Sequence, residues 1–157
     1  MLSRLGYRIR SMTVEDYPDV IALWRSSEGL GLSDADEPGA IAAYLKRNPG
    51  LSLVATAGDE VVGAVLCGHD GRRGYLHHLA IARSHRGEGT GREIVSRCLN
   101  SLAAEGIRRC HIFVRAENES GQGFWRSVDW WPRPDLLVMT SDTPASGVAA
   151  TGGRGSG

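Results

Sequence analysis

The sequence predicts a single mixed α/β domain, with helices on both sides of a central sheet. Alternating strand patterns and apolar residues at helical spacing follow one another along most of the chain. A strand, a glycine-rich loop and an amphipathic helix stand together in mid-chain. The length of 157 residues and the apolar fraction of 41% suit one domain with a buried core.

The first half of the chain predicts a strand, two helices and a hairpin. YRIRSM, residues 7–12, alternates apolar and polar side chains, as a strand does. Thr13 is an N-cap candidate for a helix whose apolar residues run from Tyr17 to Trp24. After an acidic, glycine-containing connection, Pro38 suits the first turn of a second helix. Residues 51–71 read as two strands joined at AGDE.

The second half predicts a buried strand, a long helix and a weaker strand–helix–strand end. GYLHHLAIA, residues 74–82, is more continuously apolar than the preceding strands, which favours a central position in the sheet. The apolar stripe of residues 94–102 predicts a helix that stops at Gly106. RCHIFVRA predicts a strand, SGQGFWRSV a short helix and DLLVMT a final strand. Residues 1–140 form the predicted domain, and the aperiodic residues 141–157 form a flexible low-complexity tail.

Composition narrows the function classes. Lysine plus arginine and aspartate plus glutamate number 18 each, so no general attraction to nucleic acid or to an anionic membrane is expected. MLSRLGYRIR contains no apolar run of signal-peptide or membrane-span length. The three cysteines (Cys67, Cys98, Cys110) show no C-x-x-C pairing and are interpreted as reduced thiols of a cytoplasmic protein without bound metal.

The glycine loop HRGEGTGREIV, residues 85–95, indicates a phosphate site. Glycines that dense let backbone N–H groups approach a ligand, and a helix N-terminus flanked by arginine favours an anion. A Walker motif is excluded because it requires Lys and then Ser or Thr after its last glycine, whereas Gly91 is followed by Arg92 and Glu93. A Rossmann fingerprint fails because its third glycine is missing. The pattern that remains is R-x-x-G-x-G, formed by Arg86, Gly89 and Gly91.

This segment, LAIARSHRGEGTGREIVSRCL, resembles the acetyl-coenzyme A binding segment of the GCN5-related N-acetyltransferases (GNATs). Downstream, VRAENESGQGFWRSVDW resembles the second half of that family, and the likeness runs from Tyr7 to Thr140. The resemblance implies the GNAT fold, a mixed and mostly antiparallel sheet flanked by four helices. It also implies acetyl-coenzyme A as co-substrate, with no metal, and direct attack by a primary amine through a tetrahedral intermediate.

The resemblance implies two backbone contacts to coenzyme A. The helix N-terminus would bind the pyrophosphate, and the preceding strand would pair with the pantetheine arm and polarise the thioester carbonyl. For Asn118 the alternative is a loop cap, and for Arg86 a solvated charge. The implied cofactor-binding residues are Leu79, Ala80, Ile81, Arg86, Gly87, Glu88, Gly89, Thr90, Gly91, Arg92, Asn118 and Trp125.

His77 is the candidate proton acceptor. Strand alternation places Tyr75, His77 and Leu79 on one face, the face on which the family often carries its base, and His78 on the other. Opposed directions would prevent the two histidines from chelating one ion. An ordinary half-buried histidine is the alternative for His77. The glutamate base that some members carry on the fifth strand is replaced by Phe113.

Trp125 is the clearest departure from the family. It stands where the family usually has the tyrosine that protonates the departing thiolate, and indole cannot act as that acid. Asp129 replaces the usual glycine nearby. Tyr75 or a water molecule could replace the acid, so Tyr75 is the second candidate catalytic residue. We expect Trp125 to border the cofactor channel instead, with Phe124 and Val128 packed on the sheet.

Three functions remain open at this point. The first is an N-acetyltransferase acting on a small-molecule or peptide amine; the resemblance leaves a homodimer open, since dimers are frequent in that family. The second, motivated by Trp125 and Asp129, is a catalytically weak or inactive acyl-coenzyme A binding or sensing domain. The third is an unrelated phosphate-binding domain. Acidic residues in the loop between the first two helices (Glu28, Asp34, Asp36, Glu37) could attract a cationic amine, although a solvated loop is the commoner explanation for such acids.

Overall fold

The fold is one five-stranded mixed sheet, seen in a computed structural model that describes residues 6–145. Its order is β1-β2-β3-β4-β5; neighbours are antiparallel except β4 and β5, which are parallel. The strands are β1 Arg8–Ser11, β2 Leu53–Ala57, β3 Glu60–His69, β4 Gly74–Ile81 and β5 Cys110–Ile112. The predicted hairpin is confirmed, with its turn at Gly58 and Asp59 between β2 and β3.

Four helices flank this sheet, as the sequence predicts. They are α1 Tyr17–Arg25, α2 Pro38–Arg47, α3 Thr90–Ala104 and α4 Glu119–Ser127. Side chains of α1 and α2 form one core with the sheet, whereas α3 forms the core on the opposite face, where Phe124 of α4 also packs. The predicted mixed, mostly antiparallel α/β architecture is therefore confirmed.

Each core helix buries the stripe that its spacing predicts. In α1 the side chains of Val20 and Trp24 are fully buried, and Ile94 and Cys98 are fully buried in α3. The N–H of Ile107 bonds to the carbonyl of Leu102, which closes the end of α3. The fold thus holds a rigid helix on each side of β3 and β4.

A bulge interrupts β4 at its centre. His77 pairs with Leu66 of β3 and Ala80 with Ala64, so two residues of β4 (His78 and Leu79) lie opposite one of β3. His78 has φ +55°, a left-handed conformation that a side chain rarely adopts. The bulge therefore reverses which face each later residue of β4 occupies.

The predicted final strand is wrong. DLLVMT, residues 135–140, contains no strand, and Leu137 and Met139 are each 91% exposed. The predicted strand at 109–116 is also shortened to the three residues of β5. A strand forms only where a partner lies beside it, and Pro132 and Pro134 remove donors just before this segment.

The three cysteines differ in their burial. Cys67 and Cys98 are buried, Cys110 is half-buried, and all three are free thiols, as predicted. The hydrogen bond to Cys98 and burial raise the pKa of Cys67, and burial raises that of Cys110 to about 12.

Residues 1–5 of the predicted domain and 146–157 of the predicted tail lie outside the described residues. No helix between residues 6 and 145 is long and apolar enough to cross a membrane.

Candidate active site

A cavity of about 560 Å³ opens where β4 and β5 part. The two strands pair only from Gly74 to Leu76 of β4 and Cys110 to Ile112 of β5. Beyond those pairs the strands diverge, and the cavity lies between residues 76–81 of β4 and residues 112–115. The N-terminus of α3, the start of α4 and residues 27–30 complete its wall. The site is thus a break in the sheet, with unpaired backbone on its walls.

The N-terminus of α3 opens into this cavity without a side-chain cap. Gly89 is its N-cap at φ +83°, and Gly87 has φ +79°, so both positions require glycine. The first intrahelical bond runs from the N–H of Glu93 to the carbonyl of Gly89. The N–H groups of Thr90, Gly91 and Arg92 therefore have no acceptor inside the helix. Three donors and the positive helix end suit an anion.

Gly91 and Thr90 contribute to the site through their backbone and not through side-chain contacts. A Cβ at Gly91 would lie 3.3 Å from the ring of Phe124, so glycine lets α3 and α4 pack closely. Thr90 is 2% exposed, and its hydroxyl has no hydrogen-bond partner among residues 6–145. Its contribution to the cavity is the backbone N–H.

The charged side chains of the loop are positioned by the backbone around them. The Nε of Arg86 donates to the carbonyl of Ile81 over 2.9 Å, and Nη2 of Arg92 donates to the carbonyl of Ser127 over 2.9 Å. Both guanidinium groups line the cavity and retain further donors. Glu88 does not line it, because its carboxylate accepts a hydrogen bond from Tyr7.

The free edge of β4 presents backbone groups to the cavity. The N–H of Ala82 bonds to Val62 of the neighbouring chain segment over 2.7 Å. In an antiparallel ladder alternate residues bond to opposite sides, so Ile81 and Leu79 direct their N–H groups away from β3. The bond from Arg86 to the carbonyl of Ile81 agrees with that direction.

The two histidines lie on the same face of the sheet, and the prediction that His78 faces the opposite side is wrong. His77 contacts the ring of Tyr44 of α2 at 6.2 Å between centroids, and His78 contacts Trp24 of α1 at 5.0 Å. The reason is the bulge at His78. By the same reversal Leu79, predicted to share the face of His77, packs in the core under α3.

The two rings have different partners. Nε2 of His78 lies 2.9 Å from Oδ1 of Asp36, whose other oxygen accepts from the N–H of Ser33. Asp36 is 5% exposed, so the solvated-loop interpretation is wrong for this acid. Burial lowers the pKa of His77, the nearby His78 lowers it further, and Asp36 opposes the shift. His77 is therefore neutral at pH 7 and able to accept a proton.

Tyr75 lies beside the cavity without lining it. Its ring stacks on His77 at 6.3 Å with an interplanar angle of 8°. The cavity wall includes His77 and His78 but not Tyr75. A direct approach of the Tyr75 hydroxyl to a ligand in the cavity is therefore not seen.

Asn118 caps α4, which is the alternative weighed for it above, and it also lines the cavity. Its Oδ1 accepts from the N–H of Gly121 over 2.9 Å. A Cβ at Gly29 would lie 2.7 Å from its Nδ2, so the loop after α1 packs against this amide. The capping role does not exclude a ligand contact, because Asn118 lies in the cavity wall.

Trp125 lines the cavity from α4. Its ring contacts Phe124 at 5.2 Å and Trp130 at 4.7 Å, so it is held between two aromatic neighbours. Phe124 packs against the core under α3, as expected. The predicted position of Trp125 beside the channel agrees with this geometry.

The comparisons with known proteins agree with the resemblance stated above. The acetyltransferase (GNAT) family model matches residues 10–130. The chain belongs to the GNAT family. An acetyltransferase of Yersinia pseudotuberculosis is 32% identical over 130 residues, which are 83% of this chain and 92% of that protein.

Two solved structures show the same fold. The PaiA N-acetyltransferase of Thermoplasma acidophilum, solved with coenzyme A, has a TM-score of 0.68 at 17% identity, covering 77% of this chain and 87% of that one. A predicted acetyltransferase of Clostridium acetobutylicum, solved with acetyl-coenzyme A, has a TM-score of 0.69 at 14% identity, covering 85% and 96%.

In this GNAT domain the cavity gathers most of the residues that the sequence singled out. Of the fourteen, Tyr75 and Glu88 alone are not part of the described wall. Sequence reasoning missed His85, Arg115 and Phe124, which also line it, as does Glu28 of the acidic loop. Phe124 was assigned to packing, and Arg115 gave no local signal because only the divergence of β5 brings it to the cavity. Within residues 6–145 no cluster of His, Cys, Asp and Glu could hold a metal ion.

Proposed function

We propose that this protein is an acetyl-coenzyme A dependent N-acetyltransferase acting on a primary amine. The observation that carries the proposal is one cavity shared by three features: uncapped N–H groups of α3, the free edge of β4 and neutral His77. The first suits a pyrophosphate, the second an amide-containing arm, and the third a proton from an amine. Family membership and the two coenzyme-bound structures of the same fold support the choice of co-substrate.

The residues present fit coenzyme A. Glycine at 87 and 89 leaves the backbone bare beside the N-terminus of α3, and Arg86 and Arg92 add charge there. Leu79 and Ile81 offer N–H groups along the strand edge. Trp125 supplies an apolar surface, and Asn118 a polar one, on the opposite wall. When bound, the co-substrate supplies the acetyl thioester.

The chain's own groups then have separate tasks. The acceptor nitrogen first bonds to the thioester carbon, and the C–S bond breaks when the tetrahedral intermediate collapses. The N–H groups of Leu79 and Ile81 stabilise the negative oxygen of that intermediate, a role worth about 2.7–4 kcal/mol per donor in other enzymes. His77 accepts the amine proton and later releases it to solvent. The thiol needs little help to leave, since its ordinary pKa is about 8.5. Water supplies its proton, because Trp125 cannot and Tyr75 lies outside the cavity wall.

The test is release of free thiol from acetyl-coenzyme A with a panel of primary amines. Wild-type protein is expected to release thiol, with a rate that falls as the pH drops through the lowered pKa of His77. His77→Gln should lower turnover by about 10²–10⁴-fold and lose this acidic limb. His78→Asn, which tolerates the left-handed backbone, should keep the limb. An acidic limb that is the same in His77→Gln and wild type contradicts the role of His77.

The alternative proposal is a non-catalytic acyl-coenzyme A sensing domain, which Trp125 favours. It predicts tight binding of acetyl-coenzyme A with no thiol release for any amine. The three free thiols favour a reducing compartment such as the cytoplasm. We propose residues 1–140 as the catalytic domain, with residues 141–157 outside it, and no nucleic acid or membrane partner. A sedimentation measurement would decide whether the chain forms a homodimer.

A further inference from the structure

The rings of His77, Phe113 and Tyr75 form one cluster of stacked rings beside the cavity. His77 and Phe113 lie 6.1 Å apart with an interplanar angle of 25°, and Tyr75 stacks on Phe113 at 6.3 Å and 17°. All three rings are on the sheet face that carries α1 and α2. Phe113 and His77 belong to the cavity wall. The proposed proton acceptor therefore has an aromatic neighbour, Phe113, in the cavity wall.

Phe113 is exposed because nothing of the described chain covers β5 on this face. The helix α1 packs on β3 and β4, and α2 reaches the ring of His77 through Tyr44. Phe113, one residue beyond β5, is 62% exposed. A large, exposed apolar ring in a cavity wall is a surface on which another planar apolar group gains free energy by stacking.

The charges around the cavity are unbalanced. Its described wall contains one carboxylate, Glu28, which is paired with Arg83. Asp36, behind His78, is buried and hydrogen-bonded to that ring. The wall also contains three arginines, of which Arg86 and Arg92 lie at the N-terminus of α3. The third, Arg115, lies two residues beyond Phe113.

Arg115 is free to meet an anion. Its closest carboxylate partner is Glu117, at 3.7 Å between Nη1 and Oε1, and both side chains are more than half exposed. Such a pair contributes little energy and exchanges easily for a ligand. A Cβ at Gly31 would lie 2.4 Å from Nη2 of Arg115, so the guanidinium lies against the loop that follows α1. The acceptor end of the cavity thus carries a positive charge rather than the negative one that the acidic loop suggested.

We infer that the acceptor is an α-amino acid with an aromatic side chain. This inference rests on the proposed function and names its substrate class. The carboxylate binds Arg115, the side chain stacks on Phe113, and the amine lies at His77. In the reaction the amine nitrogen gains the acetyl carbon, the thioester sulfur leaves, and the amine proton passes to His77. A polyamine or an exposed lysine, which brings only positive charge, is disfavoured by Arg115.

The test compares L-phenylalanine with phenethylamine, which lacks only the carboxylate. Wild-type protein is expected to use L-phenylalanine with a kcat/KM at least about tenfold higher, since a charge-assisted bond distinguishes them. Arg115→Gln should remove that preference by raising KM for L-phenylalanine about 10- to 100-fold while leaving phenethylamine unchanged. Arg108→Gln, an exposed arginine outside the cavity wall, should keep it.

Two further arms test the ring contact with a variant and the acceptor pocket with an inhibitor of wild-type protein. Phe113→Ala should reduce the preference for L-phenylalanine over L-alanine about tenfold. 3-Phenylpropanoate, which has the ring and the carboxylate without the amine, should inhibit competitively against the acceptor. Faster turnover of phenethylamine or spermidine than of L-phenylalanine would overturn the inference, as would an equal loss for both substrates in Arg115→Gln.

The failures of the two proposals are distinguishable by calorimetry. Binding of acetyl-coenzyme A with thiol release for other amines, but not for aromatic amino acids, overturns the substrate class alone. Absence of acetyl-coenzyme A binding overturns the proposed function itself.

Discussion

The two halves of the sheet are built differently. From β1 to β4 the strands are antiparallel neighbours, and β3 buries Val62 and Val65 completely. Between β4 and β5 there are three parallel pairs, and then the strands part. The first half stabilises the fold through paired backbone and buried side chains. The second leaves backbone donors, rings and cations facing a cavity.

The difference between the halves shows that the candidate site lies where the regular sheet structure stops. The bulge at His78 lies between the halves and puts both histidines on one face, beside the opening. In a regular strand one of the two histidines would lie on the opposite face of the sheet. The break in hydrogen bonding, the break in alternation and the uncapped helix all meet at the same cavity, so the site is made of positions where regular structure stops.

The largest expected effect separates the two halves by stability. Ile9→Ala, at a 5% exposed position of β1, should lower the free energy of unfolding by about 2–5 kcal/mol because it opens a cavity in the core. Phe113→Ala, at a 62% exposed position, should change it by no more than about 0.5 kcal/mol. Chemical denaturation measures both. A large loss in Phe113→Ala would show that the open half is also structural.

Two glycines with left-handed backbone, one in each half of the sheet, allow binding to be compared between variants with similar backbone strain. Gly89, at φ +83°, caps α3 in the open half, and Gly58, at φ +60°, turns the hairpin in the closed half. Alanine at either position should cost about 1–2 kcal/mol of stability, because both are left-handed. Gly89→Ala alone should weaken binding of acetyl-coenzyme A in a calorimetric titration. Equal affinity in the two variants would remove the N-terminus of α3 from the site.

A smaller effect is expected at Trp125. Trp125→Ala should weaken acetyl-coenzyme A binding about fivefold, or about 1 kcal/mol, through lost apolar contact. Trp125→Tyr should keep that affinity and hold or raise turnover, because it restores the family's usual acid. Calorimetry and thiol release together measure both variants. If Trp125→Ala binds as tightly as wild type, the ring does not contact the co-substrate.

The sequence predicted what short-range patterns determine. The stripe of α3, its glycine N-terminus and the hairpin at Gly58 are local features, and each was confirmed. The bulge at His78 was not predictable from alternation, because it is defined by the pairing of β4 with β3. The false strand at 135–140 has the composition of a strand, but a strand also needs a neighbour to accept its hydrogen bonds.

Features of the site that depend on distant segments were likewise beyond the sequence. The bond between His78 and Asp36 joins residues 42 apart. Arg115 reaches the cavity only because β5 diverges from β4. Residues 85–92 of the glycine loop other than Glu88, by contrast, lie together in the cavity wall because one strand, one loop and one helix place them. Their contact with coenzyme A stays a prediction.

The most direct measurement of the central claim is thermal unfolding in the presence of acetyl-coenzyme A, ATP or NADH. A ligand that binds only the folded chain adds about 2.7 kcal/mol of stability at 100 times its Kd and raises Tm accordingly. The account predicts a rise of several degrees with acetyl-coenzyme A and none with the two nucleotides. Equal or larger shifts with ATP or NADH, and none with acetyl-coenzyme A, would contradict it.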